Sequence, residues 1–136
     1  MKTHKIILLL AASFCGLSVA IGAFAAHGLK AILDQQALGW IQTGAQYQMS
    51  HGLALLVLGF AIKQWPNLKG LRPASYSFSV GILLFSGSLY LMAATQIKAL
   101  GIITPIGGLA FLIGWSCLAY AATRDTDQQI EKTHVR

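Results

Sequence analysis

The sequence predicts an all-α fold, a four-helix transmembrane bundle with both termini in the cytoplasm. Three observations carry that expectation. Four long apolar segments, roughly 6–26, 44–62, 74–95 and 101–122, make up most of the 136 residues, and each is long enough to cross about 30 Å of hydrocarbon at about 1.5 Å per helical residue. The chain is 55% hydrophobic and only 10% charged, where soluble domains carry roughly 25% charged residues. Basic residues also alternate by connection. Lys2, Lys5, Lys63, Lys69, Arg72, Arg124, Lys132 and Arg136 share one side, and Lys30 and Lys98 the other. The positive-inside rule puts the larger group, and with it both termini, in the cytoplasm.

Span one opens after a basic N-terminus and resembles a signal peptide, with Ala23-Phe24-Ala25 in place of a cleavage site. Its apolar run of about 20 residues exceeds an h-region of about 7–15, so it reads as a retained span. Small residues (Ser18, Gly22, Ala26) recur at every fourth position, a face that lets helices approach closely in lipid. Gly28 suits a C-cap.

Asp34 suits an N-cap for a helix beginning at Gln35. From Trp40 onward Gln42, Thr43, Gln46, Tyr47, Ser50 and His51 share one half of the helical wheel, and Ile41, Ala45 and Met49 lie opposite. This predicts an amphipathic outer extension of span two with its polar face toward the bundle. A separate interfacial helix over 35–43, turning near Gly44, is the alternative. Trp65-Pro66-Asn67 ends span two, because Pro cannot continue the ladder and Asn favours a turn.

Pro73 fits the first turn of span three. The short connection 96–100 makes spans three and four antiparallel neighbours. The whole chain, 1–136, is one membrane domain. Its polar residues from 123 to 136 read as a frayed cytoplasmic tail. Cys15 and Cys117 sit inside spans and read as small hydrophobes. The charge of +6 is scattered between apolar segments, which excludes a nucleic-acid footprint.

The topology brings polar residues from separate segments to the outer half of the bundle. His27, Gln46, Tyr47, Tyr90 and Thr104 fall in the outer leaflet, with Ser88 between them and Ser86, and His51 a few residues deeper. Interhelical hydrogen bonding explains many of them at about 0.6 kcal/mol each. An ionisable residue within a span is a functional candidate by default. Tyr47 and His51, at i and i+4, share a face on which Tyr47 would fix the imidazole tautomer.

The readings are a pocket for a small molecule, lipid or partner helix, and a metal or haem redox site on His27 and His51, with Met49 as a further ligand. No span holds a carboxylate to complete a Ser86 or Ser88 triad with His51, so no enzyme is expected. No cofactor is called for. The bilayer is the first partner, and a membrane-protein partner or self-association is compatible with the small residues.

Gly22-Ala23-Phe24-Ala25-Ala26-His27-Gly28, Gly39-Trp40-Ile41-Gln42-Thr43-Gly44, Tyr47-Gln48 with His51, Phe85-Ser86-Gly87-Ser88-Leu89-Tyr90 and Thr104-Pro105-Ile106-Gly107-Gly108 with Gly114-Trp115 run in order along nearly the whole chain. Together they resemble the small bacterial inner-membrane family of YgdD and YwdK. Ala25 departs from the expected Gly. The resemblance implies a four-helix inner-membrane protein and supplies no activity.

Overall fold

A computed structural model describes the backbone of residues 2–134 and the side chains through Arg124. Every element among the described residues is helical. Helix α1 (Thr3–His27) closes as the Gly28 N–H reaches the Phe24 carbonyl. A 3-10 turn, Leu29–Ala31, leads to α2 (Gln35–Gln64). Asp34 caps α2 as expected, its Oδ1 accepting the Ala37 N–H at 2.7 Å.

The extension and span two form one unbroken helix of 30 residues, about 45 Å long. No turn occurs at Gly44, which is buried against the Tyr90 ring, so the separate interfacial helix is not formed. Trp65, Pro66 and Asn67 follow the end of α2 as the sequence predicts.

Helix α3 (Leu71–Gly81), a π segment (Ile82–Ser86) and α4 (Gly87–Thr95) run on as one long third helix, with Pro73 in its first turn. Gly70 precedes it at φ 103°, where a Cβ would also meet the Cys117 carbonyl at 2.6 Å, so only Gly fits. Gln96, left-handed at φ 59°, stops α4. A second 3-10 turn, Lys98–Ile102, takes up the expected start of span four, and α5 runs from Thr104 to His134. The backbone is thus helical where a frayed tail was expected, and the side chains beyond Arg124 lie outside the described residues.

Helix α1 packs along α2, α2 along the third helix, and the third helix along α5. The end carrying residues 28–34 and 96–103 is called the upper end below. Leu55, Leu58, Ile62, Phe78, Ile82 and Phe111 form the larger core, and Ala25, Ala37, Ile41 and Ala93 a smaller one at the upper end.

Of the expected contact face of α1, Ser18 is buried against α2 but Gly22 and Ala26 are not. Ile7, Ala11 and Ala25 are buried with it, and a Cβ on Gly22 would meet open space. Close approach comes from α2, where Gly52 lies on Cys15 and Gly59 on Leu8.

The inward face of α2 also differs from expectation. Ile41, Gly44, Ala45, Gln48 and His51 are buried, whereas Gln42, Thr43, Gln46 and Ser50 are exposed. Small residues admit the neighbouring backbones on the inward side. The polar groups that enter with them, Gln48 and His51, each find a partner on another helix.

Three helical stretches, Thr3–Ala31, Leu71–Thr95 and Lys98–Arg124, are long and apolar enough to cross a membrane. Helix α2 matches them in length, but it carries Gln42, Gln46, Gln48 and His51.

Candidate functional site

The predicted polar cluster separates into two groups with different surroundings. One group is spent on holding helices together. Ser86 is fully buried, and its hydroxyl donates to the Gly44 carbonyl at 2.8 Å, joining the third helix to α2. Tyr90 donates to Gln48 Oε1 at 3.0 Å, and Gln48 Nε2 donates to the Phe14 carbonyl at 2.8 Å, a relay across α4, α2 and α1. Ser18 donates to the Ala45 carbonyl at 2.7 Å. Ser88 donates to the Phe85 carbonyl at 2.9 Å and lies 2.7 Å from Thr104 Oγ1, so Thr104 supplies the proton of the second bond and ties α4 to α5. Among the described residues no buried side-chain nitrogen or oxygen is left without a partner.

The second group lines a cleft of about 540 Å³ between α2 and α5. Tyr47, His51, Phe85, Phe111 and Trp115 form its aromatic wall, with Gly108, Leu109 and Leu112 along α5. The Phe111 ring stacks on His51 at 3.6 Å and 12°, and Tyr47 lies near-parallel to His51 at 13°. The π segment brings Phe85 within 4.5 Å of Tyr47, ring centre to ring centre; such bulges recur at functional sites.

His51 is only 6% exposed, and both its nitrogens are occupied. Nδ1 lies 2.8 Å from the Tyr47 carbonyl, which can only accept, so Nδ1 carries the proton. Nε2 receives the Trp115 indole N–H at 3.2 Å. Tyr47 does fix the tautomer, through its backbone carbonyl rather than its hydroxyl. That hydroxyl has no protein partner among the described residues, and Tyr47 and Trp115 are 41% and 47% exposed.

The structure does not bring His27 and His51 together. His27 is exposed at the end of α1, whereas Gly52, beside His51, packs against Cys15. Cys15 lies twelve residues before His27, about 18 Å along the helix. With Nε2 of His51 already holding an indole proton, the two-histidine metal or haem site has neither its pair nor a free donor atom. No group of three or more His, Cys, Asp or Glu that would hold a metal occurs among the described residues. Gln46 is exposed, away from the cleft.

A second cavity of about 590 Å³ lies at the upper end, lined by Phe24, Leu29, Ile32, Ile41 and Tyr90 among others. It is almost wholly apolar. Of these two, the α2–α5 cleft combines apolar walls with convergent polar groups, the pattern of small-molecule sites.

Sequence reasoning did not name Phe111, and met Gln48 and Trp115 only within the blocks that carry the family resemblance, not as site residues. For Gln48 the available signal was its spacing from the apolar line of Ile41, Gly44 and Ala45. For Trp115 it was an indole N–H within a span, which needs an acceptor in lipid.

The family model described as protein of unknown function (DUF423) matches residues 21–108. A UPF0382 membrane protein of Haemophilus influenzae is 50% identical over 88% of this chain and 94% of its own length. The UPF0382 membrane protein YwdK of Bacillus subtilis is 41% identical over 88% of this chain and 98% of its own. The UPF0382 inner membrane protein YgdD of Escherichia coli K12 is 38% identical over 90% and 92% respectively. No solved structure matches the chain significantly.

Proposed function

The chain belongs to the DUF423 family of uncharacterised membrane proteins, and from that premise we propose a non-enzymatic binding protein of the bacterial inner membrane. It crosses four times with both termini cytoplasmic, and its α2–α5 cleft receives a small ligand sideways from the outer half of the bilayer.

The fourth crossing is α2. Its polar residues suit a helix flanked by α1 and the third helix, because Gln48 and His51 are satisfied by protein rather than exposed to lipid. The alternation of basic residues supports the orientation. A cysteine introduced at Lys30, before α2, is expected to react with a membrane-impermeant maleimide added outside spheroplasts, and one at Lys69, after it, only after lysis. The reverse labelling would invert the topology, and labelling of both from one side would remove the fourth span.

The observation that carries the binding reading is the cleft itself, lined by Tyr47, whose hydroxyl has no partner among the described residues. Ser86, Ser88, Tyr90 and Thr104 serve it indirectly, by fixing the helices that form its walls. Gly108 provides the test. A Cβ there would lie 3.9 Å from the Phe85 ring, an ordinary contact, so a larger side chain fills the cleft without displacing backbone. Native mass spectrometry of the protein released from mild detergent is expected to show a bound small molecule in the wild type and its loss in Gly108→Leu. Equal occupancy in the two proteins, or none in either, would sink the binding reading.

A further inference from the structure

We propose that the cleft takes a flat, uncharged ring that accepts hydrogen bonds, the headgroup of a quinone-class molecule arriving from the bilayer. The inference rests on the cleft being a binding site and adds the chemistry of its occupant.

Three of the five rings of the wall point to a flat ligand, and Phe85 and Trp115 stand tilted to them, at 34° to Tyr47 and 61° to His51. His51 and Phe111 lie within 12° of parallel, Tyr47 and His51 within 13°, and Tyr47 and Phe111 within 24°. These rings form a stack, whereas a cage for a quaternary ammonium turns several ring faces toward one point. A stack with an exposed margin is continued best by another planar ring, offset or tilted against it.

The polar groups decide the ligand's polarity. The Tyr47 hydroxyl is free to donate, and the Trp115 indole can only donate. The one imidazole acceptor, Nε2 of His51, already holds the Trp115 proton. The Trp115 proton is spent on His51, so the one donor the cleft has free is the Tyr47 hydroxyl, which can bond an acceptor such as a ring carbonyl. No charged residue lines it, so a charged ligand would lose its hydration without compensation.

The mouth decides the route. Leu109 and Leu112 are 57% and 65% exposed on α5, an apolar margin along which an isoprenoid tail lies in hydrocarbon. The cleft volume of about 540 Å³ falls within the range of about 300–1,000 Å³ usual for small-molecule sites. Binding involves the oxidised ring and no electron transfer.

The test uses the full chain in phospholipid nanodiscs and a ubiquinone carrying a single isoprene unit, followed by quenching of tryptophan emission. Saturable quenching is expected for the wild type. Tyr47→Phe keeps the ring and removes the donor, and should weaken binding about three- to tenfold. Gly108→Leu should abolish the saturable phase.

Quenching that rises linearly and alike in all three proteins means partitioning into lipid and overturns the proposal. So does Tyr47→Phe binding as tightly as wild type. A wild-type-specific bound molecule in the mass-spectrometric comparison, with no saturable quenching by the quinone, overturns the quinone assignment while the cleft stands as a binding site.

Discussion

Gly107→Ala is expected to cost about 3 kcal/mol of stability, and Gly107→Val to prevent recovery of folded protein. A Cβ at residue 107 would meet the Phe85 backbone nitrogen and lie 2.7 Å from Phe85 Cα. Those atoms belong to the π segment and cannot yield by turning a side chain. Residue 107 is therefore where α5 presses directly on the backbone of the third helix, and a methyl group there parts α5 from the helix that supplies Phe85 to the cleft. The neighbouring Gly108→Ala is the control. Its Cβ has room, and Ala gains up to about 1 kcal/mol over Gly in a helix. Thermal denaturation in detergent should separate the two by several degrees in opposite directions. A Gly107→Ala protein as stable as wild type would show that the helices are not in backbone contact.

Gln48→Leu carries the second large effect, a loss of about 2–4 kcal/mol. The substitution keeps most of the volume but removes both bonds of the relay, at about 0.6 kcal/mol each for an average interhelical bond in a membrane protein. It also leaves the half-buried Tyr90 hydroxyl without its Gln48 partner, at about 1–3 kcal/mol. Tyr90→Phe in the Gln48→Leu background should restore part of that loss, because the orphaned group is gone. The double-mutant cycle reads the coupling directly. Strict additivity of the two substitutions would mean that the hydrogen bond between them contributes nothing.

The sequence carried the helices further than it carried their faces. Asp34, Pro66 and Pro73 mark boundaries through local backbone chemistry, and the structure places each boundary within a few residues of the expected position. Burial within a membrane bundle is different, because lipid is as apolar as a protein core. Hydropathy then does not distinguish the side of α2 that meets α1 from the side that meets acyl chains. Polar residues were expected to point inward on cost alone, but Gln42, Thr43, Gln46 and Ser50 lie outside.

Of the candidate residues, Ser86, Ser88, Tyr90 and Thr104 do meet partners on other helices. Tyr47 and His51 meet α5, through Phe111 and Trp115. The π segment was not legible, since one extra residue in a helical turn leaves no mark in an apolar run. Without it, the register that puts Phe85 beside Tyr47 and Ser86 beside Gly44 cannot be read from spacing.

The composition of α2 has a consequence for biogenesis. Three helices are apolar enough to partition into a bilayer by themselves, and α2 is not among them. As the chain leaves the ribosome, Gln48 and His51 reach the insertion machinery before the third helix and α5 exist. Only α1 is then available, and it offers the Phe14 carbonyl to Gln48 and the Ala45 carbonyl a hydroxyl from Ser18. On the proposed four-span topology α1 and α2 would therefore enter as a hairpin, with the Ser18 and Gln48 partners already at hand, and the His51–Trp115 bond would wait for α5.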